Sequence, residues 1–240
     1  MCYLHDNDQM KLTLCRTLIA VLSLTSVAFA GPYIANQTKA ERLIEDFSDS
    51  SVNDFPKDFR TYPFQHGKAE RVYHVKQEGN NKYLNGTDTE DISVQTFKRF
   101  YWEPSKHPQF SWKWRAQTLP KGANENDYRT NDSACGIYVV FGGYTGNVLK
   151  YVWSTNAPAN SIIAKEPGKF YIIVLQSGKK NVGVWKEETV NVVEDYKKVF
   201  KEEPSRLPSG FGLLTDGNAV HAPASCDYDD FKVSAADIKK

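Results

Sequence analysis

Ten short strand-like segments, several of them alternating apolar and polar residues, separated by turn residues and with almost no helix between them, constrain this chain more than any other feature. ERVYHVKQ (70–77), KYLNGTD (82–88), ISVQTFKRF (92–100) and FSWKWRAQ (110–117) each repeat with period two, the signature of a strand with one face buried. GIYVVFGG, VLKYVWST, KFYIIVLQSG, NVGVWKEETV, FGLLTDGN and YDDFKVSA continue the series, set apart by Gly, Asn and Pro. Within 82–88 the dipeptide Asn85-Gly86 reads as a hairpin turn. Residues 192–203 (VVEDYKKVFKEE) form the clear helix pattern, with Pro204 just beyond it. Residues 31–45 suit a short N-terminal helix. Strands in succession with one late helix predict a jelly-roll-like antiparallel β-sandwich with one or two short helices, and a parallel α/β sheet is excluded because helices do not alternate with strands.

The N-terminus reads as an export signal. Lys11 and Arg16 precede an apolar core from Leu18 to Val27, and Ala28-Phe29-Ala30 fits cleavage before Gly31. Met10 is then the expected start, residues 1–30 the signal peptide, 31–45 an N-terminal segment and 46–240 a single β-sandwich domain. The apolar run is too short for a stable membrane span after cleavage, and a periplasmic or secreted location follows. In such an oxidising compartment the two cysteines left after cleavage, Cys135 and Cys226, are expected to pair. The formal net charge is +1, which gives nucleic acid or an anionic membrane no electrostatic purchase.

NDSACGIYVVFGG (131–143) places Asp132 at the exposed head of a strand whose two faces are both apolar, so that strand is expected to be central and covered on both sides. In 110–117, Phe110, Trp112 and Trp114 share one face while Lys113 and Arg115 share the other, and Tyr151 and Trp153 share a face in VLKYVWST. Such aromatics either fill the core or offer a platform on which a pyranose stacks, with Asp, Asn or Arg bonding its hydroxyls. Acids gather near both ends, and Asp46, Asp229 and Asp230 become calcium candidates if the first and last strands lie side by side; turn-capping is the plainer role for them. No other cofactor is indicated. The histidines show no paired spacing, and neither a nucleophile elbow nor a phosphate-binding loop occurs.

From Pro108 onward the motifs HPQFSWKWRAQTLPKG, NDSACGIYVVFGG, LKYVWSTNAP, GLLTDGNAV and CDYDDFKVS together resemble the bacterial exported family known as domain of unknown function 3047. The resemblance implies an all-β sandwich without an assigned activity. It marks Trp114, Arg115, Asp132, Trp153, Trp185, Asp195, Asp216 and Asp229 as the family's polar and aromatic positions. The chain departs from that pattern at Asn131, Gly136 and Gly217-Asn218, where the family carries further charged residues.

These readings lead first to a module that binds carbohydrate or another small ligand through Trp114, Arg115, Asp132, Trp153 and Asp216. A polysaccharide-acting hydrolase or lyase with Asp132 and Asp216 as acid and base and Arg115 as anion clamp is the second reading. An envelope protein without a small ligand, its aromatics all in the core, is the third.

Overall fold

The computed structural model describes residues 41–236. The expected signal peptide and residues 31–40 of the N-terminal segment lie outside them. The described chain contains strands β1 (Glu41–Glu45), β2 (Phe59–Arg60), β3 (Tyr73–Glu78), β4 (Asn81–Asp88), β5 (Thr96–Arg99), β6 (Gln109–Thr118) and β7 (Cys135–Phe141). It continues through β8 (Asn147–Ser154), β9 (Ile162–Glu166), β10 (Phe170–Ser177), β11 (Lys186–Asn191), β12 (Pro208–Leu214) and β13 (Ala224–Ser234). Two helices, α1 (His66–Val72) and α2 (Val192–Phe200), accompany them. None of the described helices is long and apolar enough to cross a membrane.

The strands form two sheets, the sandwich the patterning predicts. One runs β11-β6-β13-β4-β3, with β1 on the far half of β13; the other runs β2-β5-β12-β7-β8-β10-β9. Pairing is antiparallel except between β8 and β10. The exception follows from β9, a strand the sequence reading missed. β9 and β10 form a hairpin, and β10 inserts between β9 and β8, which forces it parallel to β8.

Alternation fills the space between the sheets. Phe110, Trp112 and Trp114 of β6 pack against Tyr151 and Trp153 of β8, with ring centroids 5.6 Å apart for Trp112–Tyr151 and 6.1 Å for Trp114–Trp153. Phe211 of β12 stacks on Phe231 of β13 at 4.2 Å. Cys135 of β7 and Cys226 of β13 form the expected disulfide, joining the two sheets across 91 residues of sequence. Closing a loop of that length removes about 4–5 kcal/mol of chain entropy from the unfolded state. β7 is central in its sheet as expected, but it is not covered on both sides: Tyr138 and Val140 line a pocket on the sheet's outer face.

Three local expectations are corrected. Glu41–Glu45 is a strand instead of a helix end, because it pairs with β13 from Glu41↔Ser234 to Glu45↔Phe231. Residues 70–72 close α1, so β3 begins only at Tyr73. Asn85-Gly86 is not a turn but the middle of β4. A Cβ on Gly86 would sit 2.7 Å from Thr215 Oγ1 and 3.0 Å from the Tyr73 ring, so this glycine admits core neighbours instead of reversing the chain. The reversal lies at Gly79-Asn80, between paired Glu78 and Asn81, where Gly79 takes the φ of +60° that a two-residue hairpin needs.

Candidate functional site

The outward face of the seven-stranded sheet is laid out by strand register. Phe97, Gly212, Tyr138, Lys150, Ile172 and Ile163 stand in one row across β5, β12, β7, β8, β10 and β9. On β12, Phe211 and Leu213 point into the core, which leaves Gly210 and Gly212 on the outer face. The result is a groove of about 450 Å³ with a glycine floor. Tyr62 and Phe97 wall one side, their rings 5.6 Å apart. Tyr138 and Phe170 wall the other, 6.0 Å apart. Gln95, Arg99 and Ser209 supply polar groups along it. Gly210 cannot be replaced by a larger residue without strain: its φ is +131°, and a Cβ there would overlap the Lys98 carbonyl oxygen.

Beside the groove lies a buried charge network. Lys150 carries its ammonium over the Tyr138 ring at 5.2 Å and places it 3.5 Å from Ser133 Oγ. Ser133 Oγ and Ser154 Oγ both donate to Glu125. Asp216 accepts from Ser93 Oγ at 3.2 Å and from the Ser133 amide at 3.4 Å, and Asp132 accepts from the Val220 amide at 2.9 Å. Burial works against the Lys150 charge, but Tyr138, Asp216 and Glu125 outweigh it and hold the ammonium above its usual value. Burial, aided by the neighbouring Asp132, pushes the Asp216 carboxyl up to about 6, while Lys150 pulls the other way. Burial also raises Asp132. Gly136 makes room for this lysine, since a Cβ there would lie 2.9 Å from Lys150 Cε.

The structure thus brings together two of the residues singled out from sequence, Asp132 and Asp216, and separates the others. Trp114 and Trp153 are fully buried between the sheets, so neither indole can serve as a sugar platform. Their indole N–H groups donate within the fold, to Glu188 Oε1 and to the Gly178 carbonyl, both at 3.2 Å. Arg115 is on the outer face of the opposite sheet. It bonds Asp227 at 2.8 Å and Glu78 at 3.2 Å, and its guanidinium lies 4.6 Å from the Trp185 ring centre. An Asp132–Asp216–Arg115 site is therefore not assembled, because period two in β6 turns Arg115 away from the core that Trp114 faces.

β1 does pair with β13, which sets the two acidic segments side by side. Their carboxylates already have partners: Asp46 accepts from the Ser48 amide and hydroxyl, Asp229 from Asn81 at 2.8 Å, and Asp230 pairs with Lys113 at 2.7 Å. Among the described residues no group of three or more His, Cys, Asp or Glu is placed to hold a metal ion.

The groove residues escaped the sequence reading, although two signals pointed to them. SGFGLL puts glycines at 210 and 212 on one face of a strand, a sign that something approaches the backbone closely there. VLKYVWS sets Lys150 between Val148 and Val152 on the same face, a charge in an otherwise apolar strand.

A family model described as "Protein of unknown function (DUF3047)" matches residues 57–232. No curated protein matches the chain. Among solved structures, the family 11 carbohydrate-binding module of the cellulosomal cellulase Lic26A-Cel5E of Clostridium thermocellum aligns at 10% identity. The alignment covers 82% of this chain and 96% of that one, with a TM-score of 0.40. A family 29 carbohydrate-binding module from Piromyces equi aligns at 10% identity over 82% and 92%, TM-score 0.33. The xyloglucanase domain of NopAA, a type three effector from Sinorhizobium fredii in complex with cellobiose, aligns at 10% identity over 68% and 87%, TM-score 0.36.

Proposed function

The chain belongs to the DUF3047 family, and from the groove its fold carries we propose that it is an exported module binding a saccharide on the outer face of the seven-stranded sheet. The observation that carries this reading is the groove itself: Tyr62, Phe97, Tyr138 and Phe170 border a strip of backbone bared by Gly210 and Gly212. A pyranose has an apolar face and a polar rim. Aromatic walls take the face, and Gln95, Arg99, Ser209 and the exposed backbone take the rim. The buried Lys150 network supports one wall, because the ammonium over Tyr138 holds that ring in place. The Cys135–Cys226 bridge fits an exported protein.

Isothermal titration against an oligosaccharide panel tests the proposal. Phe97→Ala removes one wall and is expected to weaken binding about tenfold, a stacking loss of about 1.4 kcal/mol. Binding unchanged in Phe97→Ala would remove the groove from consideration.

A further inference from the structure

Resting on the saccharide reading and narrowing it, the charge pattern of the groove identifies the class of sugar. Among the described residues its lining contains two cationic residues, Lys98 and Arg99, and no carboxylate. The Lys98 ammonium is occupied: it pairs with Glu45 and lies 5.7 Å from the Phe59 ring centre. Arg99 is different. Its exposed side chain lies 5.5 Å from the Phe97 ring centre, and among the described residues it has no carboxylate partner. Its ladder partner on β12 is Gly210, which offers no side chain to cover it. The carboxylates of the neighbouring network, Asp132 and Asp216, are buried around Lys150.

A guanidinium held at the edge of an aromatic groove, without an internal counter-ion, suits a planar anion that its two-pronged donor face can bind. A neutral sugar would leave that charge unanswered. We propose that the groove takes an acidic saccharide of the uronate class, with the sugar ring over the glycine floor and its carboxylate on Arg99.

The test uses the full chain and oligosaccharides of galacturonate, glucuronate and mannuronate, each beside its carboxyl-reduced neutral counterpart. At least one acidic member is expected to bind, with its reduced form weaker by at least about tenfold, the cost of losing a charge-assisted hydrogen bond. Arg99→Gln, an exposed change that leaves the fold intact by melting temperature, is expected to erase that preference, and added salt to diminish it. A neutral member bound as tightly as its acidic partner, or a preference that survives Arg99→Gln, overturns the uronate assignment. If Phe97→Ala still weakens that binding about tenfold, the saccharide groove stands without it. Failure of every member to bind, while a neutral oligosaccharide of the wider panel binds, overturns the uronate assignment alone; no binding by either set overturns both.

Discussion

Asp216 is the residue whose chemistry most depends on where the fold puts it. Its carboxyl titrates near 6, raised by burial and by Asp132. The folded state therefore keeps a proton that the unfolded chain has released between about pH 4 and pH 6. The sign follows: this residue's contribution to stability is greatest below that window and is lost as pH rises through it. Asp229, also raised to about 6 chiefly by burial, acts in the same direction on the other sheet. Asp216→Asn is thus expected to gain stability relative to the parent protein as pH rises from 4 to 7. Urea denaturation across that range checks it, and two parallel stability profiles would show that the carboxyl has the same pKa in the folded and unfolded chains. The sequence marked Asp132 because it stands in a polar turn at the head of a strand, and Asp216 through the family resemblance. It could not show that Lys150, a lone charge in VLKYVWS, supplies their counter-ion, since that pairing is made through the third dimension.

At the scale of elements, legibility tracks how much of an element's pattern is set by its own residues. α2 was readable because Val192, Tyr196 and Val199 repeat at helical spacing and are buried. Its start is fixed by Asn191, whose side chain accepts from the Val193 and Glu194 amides, each at 3.1 Å. Asn191→Ala is expected to cost about 1 kcal/mol in a urea melt; no measurable loss would mean that packing alone sets this helix start. β6 was equally legible, and its alternation placed Arg115 opposite the tryptophans, as observed. β9 was not legible: it is an edge strand with a half-exposed alternation, and its place is decided by β10 inserting beside it. The Asn85-Gly86 turn failed for a related reason, since a glycine serves a turn and a close core approach equally well in one dimension. β13 holds a further device in Asp229-Asp230. Asp230 adopts φ +53° at a register shift, so that Cys226 and Tyr228 before it and Phe231 and Val233 after it all reach the core.

For the whole molecule, the two sheets divide the labour. The space between them takes the large aromatics and the disulfide, and that filling accounts for the burial of Trp102, Trp112, Trp114 and Trp153. The outer face of the seven-stranded sheet is left with smaller rings, glycines and Arg99, which has no carboxylate partner among the described residues, and the proposed ligand lies there. On the opposite outer face Arg115 and Gln117 both donate to Asp227, so the guanidinium there already has an internal counter-ion. Chemical-shift mapping of the labelled protein, titrated with a uronate oligosaccharide, separates the two faces directly. For a ligand in the groove, perturbed backbone amides are expected to cluster at Phe97, Arg99, Tyr138, Gly210 and Gly212. Perturbations centred instead on Lys113, Arg115, Trp185 and Asp227 would contradict that placement.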